Sequence, residues 1–487
     1  YLVIKVNGVR IFCRGGNWGM DDMMKDVSRE HLEPYFILHK EANFNMIRNW
    51  TGASTSENFY DLCDEYGMLV WNDFWISTEG FNLDPLDEDL FMRNATDVVR
   101  RFGHHPSIVM WCPRNEGYAT ETLERRLSAM IHKEDVTRRY HPNSRNCNMR
   151  WSGPWHYYKD ASVYYHYDAH GFNSEIGSPS VPTAASMRKM MPEADQWPIS
   201  DTWHYHDLLN GLDEYVAAVD RLYGKAESLD DFCRKVQFIN YDSYRAMFES
   251  WNSVMWADGS GVLLWMSHPA WPSVEWQTYS WDYETFGSYY GSQKACEPVH
   301  VQMNLDDHDV VVLNTTTSSL EDMKVSLTCY DLAGKKLSAK TVKDIDVPAN
   351  SKLELFKAEL EGLKGNYMVR LVLSDRKGKV VTVNDYMMRG EGTEDFHAFN
   401  SVGKAKIRIR KVSDSRYEIT NISGNIALNL KFNLVNPENG EIILPAYFSD
   451  GYFHLLPGEK RIIEVHSPSA GAIMAEGYNV DNTTLKL

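Results

Sequence analysis

The sequence predicts a multidomain protein with an α/β domain first and all-β domains after it. At 487 residues the chain is longer than a single hydrophobic core usually grows, so we expect at least two domains. Up to about Ala295, short apolar runs alternate with helical periodicity, which favours a (β/α)8 barrel or a doubly wound sheet. After about Pro298, apolar and polar residues alternate with period two, which is typical of antiparallel β-sandwiches.

The α/β part combines short apolar strands with amphipathic helices. In ENFYDLCDEYG, apolar residues recur from Phe59 to Tyr66 at helical spacing, and Gly67 lies where a helix C-cap glycine is expected. A longer helix is predicted to begin at Ser228. Neither GxGxxG nor GxxxxGK[ST] is present, which favours the barrel over a nucleotide-binding doubly wound sheet. The predicted strands are Ile11–Gly15, Phe44–Arg48, Met68–Asp73, Ile108–Cys112 and Val262–Met266.

The all-β part divides into two predicted immunoglobulin-like sandwiches of about 100 residues each. The first contains alternating stretches such as HDVVVLN and YMVRLVLSD, and the second begins near Ser401 with AKIRIRKV and IALNLKFNLV. We therefore predict three domains: the barrel at 1–297 and sandwiches at 298–400 and 401–487. Because neither sandwich concentrates His or carboxylates among aromatics, we expect them to support the barrel or present substrate to it.

Composition excludes several classes of function. The chain has 50 Lys plus Arg against 67 Asp plus Glu, a net charge of −17, which argues against nucleic acid or an anionic membrane as the main partner. No run of 18 apolar residues predicts a membrane span. The seven cysteines are scattered without a CxxC pair, so we predict no metal site. Aromatics are abundant, at 13%, and provide flat surfaces on which sugar rings can stack.

Two glutamates directly follow apolar strands, where a barrel carries its reactive residues. Glu116 follows IVMWCPRN, and Glu175 ends the short strand HGFNS. Hydrolysis of an acetal needs one carboxyl group to protonate the leaving oxygen and a second carboxylate on the opposite face of the sugar. The alternative is that both are ordinary rim carboxylates. Only the fold can bring them together, because they are distant in sequence.

Several separate motifs resemble glycoside hydrolase family 2, and in particular its branch of β-mannosidases, endo-β-mannosidases and exo-β-D-glucosaminidases. They are IVMWCPRNEG, GMLVWNDFW, NFNMIRNW, RGGNWGMDD and FNSEIGSPSVPT. The resemblance extends over essentially the whole chain and implies a (β/α)8 barrel with β domains behind it. Members of the family usually carry two further β domains before the barrel. We expect these to be missing here, because the sequence starts at Tyr1 in strand-like sequence.

The resemblance implies roles for particular residues. Glu116 occupies the acid/base position, and Asn115 is the neighbour that contacts the sugar 2-position. Glu175 matches the nucleophile, and Arg48 matches the arginine beside it. We therefore expect Arg48 to keep Glu175 ionised while burial keeps Glu116 protonated. The further candidates for substrate contact are Trp265, as the floor of the first sugar site, and Trp18, Asp21, Asp22, Trp50, Asp73, Trp203 and His204.

The sequence hypothesis is a retaining, exo-acting β-glycosidase for terminal β-mannoside-type residues, with carboxyl groups about 5–5.5 Å apart. No cofactor is needed, because two carboxylates suffice. Exo-glucosaminidases of this branch often have Gly-Ser-Asp where this chain has Arg114, Asn115 and Glu116, which disfavours a glucosamine substrate. Exo-β-D-glucosaminidase and an inactive carbohydrate-binding scaffold remain alternatives. For Arg114, contact with an extended or anionic substrate and a structural ion pair both stay open. The family suggests a periplasmic or secreted protein.

Overall fold

A computed structural model describes residues 1–19, 25–78, 84–207 and 211–485. The chain packs into two compact units, each with its own hydrophobic core. The first unit comprises Tyr1–His156, Asp168–Ser178 and Val254–Pro272. The second comprises Tyr157–Tyr167, Pro179–Ser253 and Ser273–Leu487.

The first unit is built on a seven-stranded parallel sheet. The strands of the unit, including two outside this sheet, are β1 Ile4–Val6, β2 Val9–Ile11, β3 Cys13–Trp18, β4 Met46–Asn49, β5 Leu69–Ile76, β6 Ile108–Arg114, β7 Arg139–Tyr140, β8 Gly171–Ile176 and β9 Gly259–His268. Its helices are α1 Arg29–Glu41, α2 Glu57–Tyr66, α3 Glu88–Phe102 and α4 Glu121–Glu134. β1 and β2 form a separate hairpin, and the sheet order is β7-β6-β5-β4-β3-β9-β8. The predicted strands are confirmed, with ends shifted by a few residues.

The segment 150–154 runs beside β8 in the place of a further strand. Arg150 N–H donates to the carbonyl of Phe172 at 2.9 Å, Gly153 N–H to that of Glu175 at 2.6 Å, and Gly177 N–H to that of Pro154 at 2.8 Å. The segment therefore advances in the same direction as β8. This pairing brings the residues around Gly153 next to Glu175.

Two glycines allow β3 to lie tightly between its neighbours. A Cβ atom on Gly15 would come within 1.8 Å of the carbonyl oxygen of Met46 in β4, and one on Gly16 within 2.5 Å of the side chain of Ser267 in β9. Neither approach is possible for a larger residue without moving a strand. The Gly-Gly pair after Arg14 is thus required by strand packing.

Helix ends follow the capping signals in the sequence. α2 ends at Gly67, whose φ of +71° is the left-handed conformation that glycine adopts without strain. α3 begins after Asp87, whose carboxylate accepts the N–H of Leu90 at 2.8 Å. In the second unit, the Ser228 hydroxyl accepts the N–H of Asp231 at 3.2 Å at the start of the long helix, as predicted.

Among its described residues, the second unit contains five α-helices and four antiparallel sheets. Its helices are α5 Ala184–Met190, α6 Asp201–Tyr205, α7 Leu212–Tyr223, α8 Leu229–Ser253 and α9 Gly287–Ala295. The strands of its first sandwich are β10 Val299–Met303, β11 Asp309–Asn314, β12 Leu320–Asp331, β13 Lys336–Val347, β14 Ser351–Lys357, β15 Asn366–Ser374 and β16 Val380–Arg389. They form a sheet β10-β11-β14 and a sheet β13-β12-β15-β16.

The strands of the second sandwich follow in the same unit. They are β17 Ile407–Lys411, β18 Arg416–Asn421, β19 Ala427–Val435, β20 Tyr447–Phe448, β21 Phe453–Leu455, β22 Lys460–His466, β23 Ala472–Gly477 and β24 Val480–Leu485. Their two sheets are β17-β18-β22-β20 and β21-β19-β23-β24. The domain boundaries at 297/298 and 400/401 stay predictions. None of the described helices has the length and apolar character needed to cross a membrane.

Candidate active site

Arg48, at the end region of β4, is the centre of a buried polar cluster in the first unit. Its Nη1 donates to Oε1 of Glu175 at 2.6 Å. Its Nη2 donates to Oδ2 of Asp73 at 2.7 Å and to Oδ1 of Asn115 at 2.7 Å. The guanidinium is fully buried, and its donors lie in one plane. It therefore fixes the relative positions of three acceptors that come from three different strands or strand ends.

The Asp73 carboxylate holds Arg48 in place. Besides Arg48, Oδ2 accepts the N–H of Thr51 at 3.0 Å, and Oδ1 accepts Nε1–H of Trp71 at 2.8 Å. Asp73 is only 1% exposed. Its carboxylate is therefore already bonded to three groups of the protein and helps to fix Arg48, and a direct contact of Asp73 with sugar stays a prediction.

Asn115 and Glu116 follow β6 and are fixed by two serines. The Ser144 hydroxyl donates to Oδ1 of Asn115 at 3.1 Å and accepts the N–H of Glu116 at 3.0 Å. The Ser152 hydroxyl donates to Oε1 of Glu116 at 2.6 Å. Glu116 has a φ of +41°, a strained conformation for a residue other than glycine, and it is followed by Gly117. Backbone and side chain of Glu116 are thus both held in one arrangement.

Glu175 carries a perturbed carboxyl group. Burial raises its pKa from 4.5 to about 7; the Arg48 guanidinium opposes this, and the charge of Glu116 adds to it. The guanidinium favours the ionised form of Glu175, as expected, but burial outweighs it, so the pKa is raised overall. The carboxyl group of Glu116 acts on that of Glu175, as expected for two groups in one site.

This shift has a consequence for stability. Because the pKa of Glu175 is raised in the folded state, its contribution to stability is complete below pH 4.5 and is lost as the pH rises to about 7. We expect Glu175→Gln to stabilise the fold above pH 7 by on the order of 3 kcal/mol and to change little at pH 4. Urea unfolding at both pH values measures this. Glu361→Gln, at an exposed glutamate, controls for the substitution; equal effects at both pH values would contradict the shift.

Trp50 and Trp265 form an aromatic pair in the same unit. Their ring centroids are 4.7 Å apart with an interplanar angle of 64°, and both residues are half-buried. The indole N–H of Trp50 has no acceptor among the described residues. The pair therefore offers partly exposed aromatic surface in the unit that carries Arg48 and Glu175.

Of the other predicted contacts, the structure describes Trp18, Trp203 and His204. Trp18 is 1% exposed; its ring stacks on His268 with centroids 4.1 Å apart and packs against α1, so it is a core residue. Trp203, in the second unit, is fully buried and donates to the carbonyl of Gln196, whereas His204 is exposed. Buried indoles offer no surface to a sugar. Asp21 and Asp22 lie outside the described residues, and their role stays a prediction.

Arg114 braces the loop that carries Glu116. Its guanidinium is buried and donates to the carbonyl oxygens of Ser77 and Tyr118, each at 3.0 Å. Asp84 lies 3.7 Å from Nη1. Of the two interpretations left open by the sequence, these contacts favour the structural one.

Sequence reasoning missed the two serines that hold Asn115 and Glu116. Ser144 and Ser152 come from irregular backbone between β7 and β8, where no periodicity indicates which way a side chain points. A weak signal was available: both lie in polar stretches between two strands that end in candidate glutamates. In residues 1–19, 25–78, 84–207 and 211–485, no group of three or more His, Cys, Asp or Glu side chains is arranged to hold a metal.

In this unit, the ends of parallel strands bring two carboxyl groups into one buried site. This arrangement is typical of barrel enzymes with a pair of catalytic carboxylates. The family model described as "Glycosyl hydrolases family 2, TIM barrel domain" matches residues 3–256. The chain belongs to glycosyl hydrolases family 2. Residues 306–389 match a "Mannosidase Ig/CBM-like domain", and residues 385–480 an "Exo-beta-D-glucosaminidase Ig-fold domain". The predicted fold, a (β/α)8 barrel followed by two immunoglobulin-like sandwiches, is confirmed.

Known proteins share this architecture. A mannosylglycoprotein endo-beta-mannosidase of Lilium longiflorum is 28% identical over 95% of this chain and 62% of its own length. The structure of an Amycolatopsis orientalis exo-chitosanase matches with a TM-score of 0.87 at 21% identity, covering 100% of this chain and 65% of that one. The structure of a beta-D-mannosidase of Dictyoglomus thermophilum matches with a TM-score of 0.84 at 24% identity, covering 98% of this chain and 62% of that one. The chain thus spans less than two thirds of each protein, and the structural matches support the fold alone.

Proposed function

We propose that the protein is a retaining β-glycosidase that hydrolyses terminal β-mannoside-type residues. The observation that carries the proposal is the contact of Arg48 with Glu175 at 2.6 Å, in a site where the charge of Glu116 also acts on Glu175. Double displacement uses a pair of carboxyl groups, one as nucleophile and one as acid/base, and a guanidinium beside the nucleophile stabilises its ionised form. Membership of the family and the names of its mannosidase members support this assignment.

The proposed reaction has two steps. In the first, the Glu175 carboxylate bonds to the anomeric carbon while Glu116 protonates the departing glycosidic oxygen, which takes the electron pair of the broken bond. In the second, Glu116 removes a proton from water as its oxygen attacks the anomeric carbon, and the bond to Glu175 breaks. Arg48 stabilises the Glu175 carboxylate whenever it is released. The product keeps the β configuration because the carbon is inverted twice.

The hydrogen bonds of Asn115 favour a neutral sugar. Its Oδ1 already accepts from Arg48 and Ser144, and its Nδ2 donates one N–H to the hydroxyl of Thr78 at 2.9 Å. Asn115 therefore has an N–H, and not an oxygen, to offer at the sugar 2-position that the family resemblance assigns to it. A 2-hydroxyl accepts that bond, whereas a 2-ammonium group has only donors. This favours a mannoside over the glucosaminide alternative.

A pair of chromogenic substrates tests the choice of sugar. We expect kcat/KM for nitrophenyl β-mannoside to exceed that for nitrophenyl β-glucosaminide by roughly 100-fold, because the wrong 2-substituent leaves a buried donor without an acceptor. The assay should use the full-length protein and begin with a mixed glycoside panel. A preference for the glucosaminide would establish the alternative substrate. If no glycoside of the panel is hydrolysed, the alternative of an inactive carbohydrate-binding scaffold is the one that remains. The compartment, periplasmic or secreted, stays a prediction from the family.

A further inference from the structure

We propose that Ser152 is a positioning residue that places the catalytic proton of Glu116 on Oε2, the oxygen that the serine does not contact. The inference rests on the proposed function, in which Glu116 is the acid/base. Oγ of Ser152 donates to Oε1 of Glu116 at 2.6 Å, and both residues are buried, at 8% and 6% exposure. Nothing in the family resemblance or in the sequence analysis assigned a role to Ser152.

The chemistry of a carboxylic acid explains the selection. A neutral carboxyl group carries one proton on one of its two oxygens, and a serine hydroxyl has a single proton to donate. While Ser152 donates to Oε1, the carboxyl proton is placed on Oε2. An O–H···O distance of 2.6 Å is in the range of about 2.5–2.7 Å found for strong bonds to a carboxylate. Oε1 is thus used as the acceptor of the serine hydroxyl, which leaves Oε2 for the carboxyl proton.

Contacts at the backbone fix the position from which the Glu116 side chain extends. The N–H of Glu116 is held by the Ser144 hydroxyl at 3.0 Å, and the Ser144 carbonyl accepts the Ser174 hydroxyl at 2.6 Å. Ser174 directly precedes Glu175 in β8. The acid/base is thus tied at its backbone to the strand of the nucleophile and at its side chain to the neighbouring segment 150–154. The carboxyl group is therefore held from both sides, and Oε2 is the oxygen that Ser152 does not contact.

The proton balance holds in both reaction steps. In the first, the proton on Oε2 passes to the glycosidic oxygen as the bond to the anomeric carbon breaks. In the second, Oε2 takes a proton from the attacking water as the bond to Glu175 breaks. Ser152 keeps its own proton throughout, so it acts through Glu116 and not on the substrate. Its removal leaves the proton distributed over both oxygens, one of which is misdirected.

The dependence of rate on the leaving group tests this role. We expect Ser152→Ala to lower kcat/KM by roughly 10- to 100-fold for glycosides with poor leaving groups, the scale of a misplaced catalytic group. A 2,4-dinitrophenyl glycoside needs little protonation and should lose less than about threefold on the same grounds. Ser152→Thr, which keeps the hydroxyl, should restore most of the loss. A merely structural defect would lower all substrates alike.

The controls separate the possible failures. Ser260→Ala removes another buried hydroxyl of the same unit, one that donates to the carbonyl of Leu2, and should leave the leaving-group dependence unchanged. If Ser152→Ala does not fold, Ser152→Cys keeps the volume with a weaker donor and should show the same dependence. A wild-type protein without turnover on any glycoside overturns the proposed function. An active wild type with a uniform loss, or none, in the Ser152 variants overturns only the positioning role.

Discussion

Replacing Glu175 by alanine is expected to lower kcat for aryl β-glycosides by roughly 10⁴-fold or more, the scale seen when a nucleophile is removed. Glu175 forms the bond to the anomeric carbon, and no other described carboxylate is available for that role: Asp73 is held by Arg48, Thr51 and Trp71. Steady-state kinetics with an activated aryl glycoside measure the loss. Glu361→Gln again serves as the exposed control and should keep wild-type kinetics.

Added azide distinguishes the two carboxyl groups. In Glu175→Ala, azide can enter the space of the missing side chain and attack the anomeric carbon directly, so the glycosyl azide forms with inverted configuration. In Glu116→Ala, Glu175 still forms the intermediate with an activated leaving group, and azide intercepts it with net retention. NMR of the products reports the configuration. Retention with Glu175→Ala and inversion with Glu116→Ala would reverse the two assigned roles. Normal activity in either variant would remove the role assigned to that residue.

The parts of the site that could be predicted are those fixed by regular structure. Arg48, Asn115 and Glu175 each stand at or near the end of an apolar run, and parallel strands bring such ends to one rim. The same holds for Gly67, where composition and helical period both indicate a helix end. Where local pattern and strand direction agree, one sequence is enough to place a side chain.

The rest depends on packing, which the local pattern does not encode. Trp18 ends β3 like the other candidates, yet its ring faces α1 and His268, because a side chain at a strand end can point to either side. The pKa of Glu175 depends on how completely the fold excludes water from its carboxyl group. In β19, Lys431 is buried and paired with Glu284, which the alternation of apolar and polar residues does not predict.

Replacing Arg48 by methionine should give the second large effect, on both stability and pH dependence. Arg48 is the cation that faces the Asp73 and Glu175 carboxylates, at 2.7 and 2.6 Å. Its loss leaves two buried carboxyl groups without compensation, which costs about 3–5 kcal/mol of unfolding free energy. Chemical unfolding at neutral pH measures this loss.

The pH profile of the same variant carries the test of mechanism. In the wild type, Glu175 must be ionised to attack, so the acidic limb of kcat/KM is expected near pH 7, where its pKa lies. Without the guanidinium, which lowers that pKa, the limb should move to higher pH, and activity should recover partly on the alkaline side. Arg48→Lys keeps a buried positive charge but loses the three-acceptor geometry, so its limb should move less while kcat still falls. If both variants keep the wild-type limb, Glu175 is not the group whose ionisation controls the reaction.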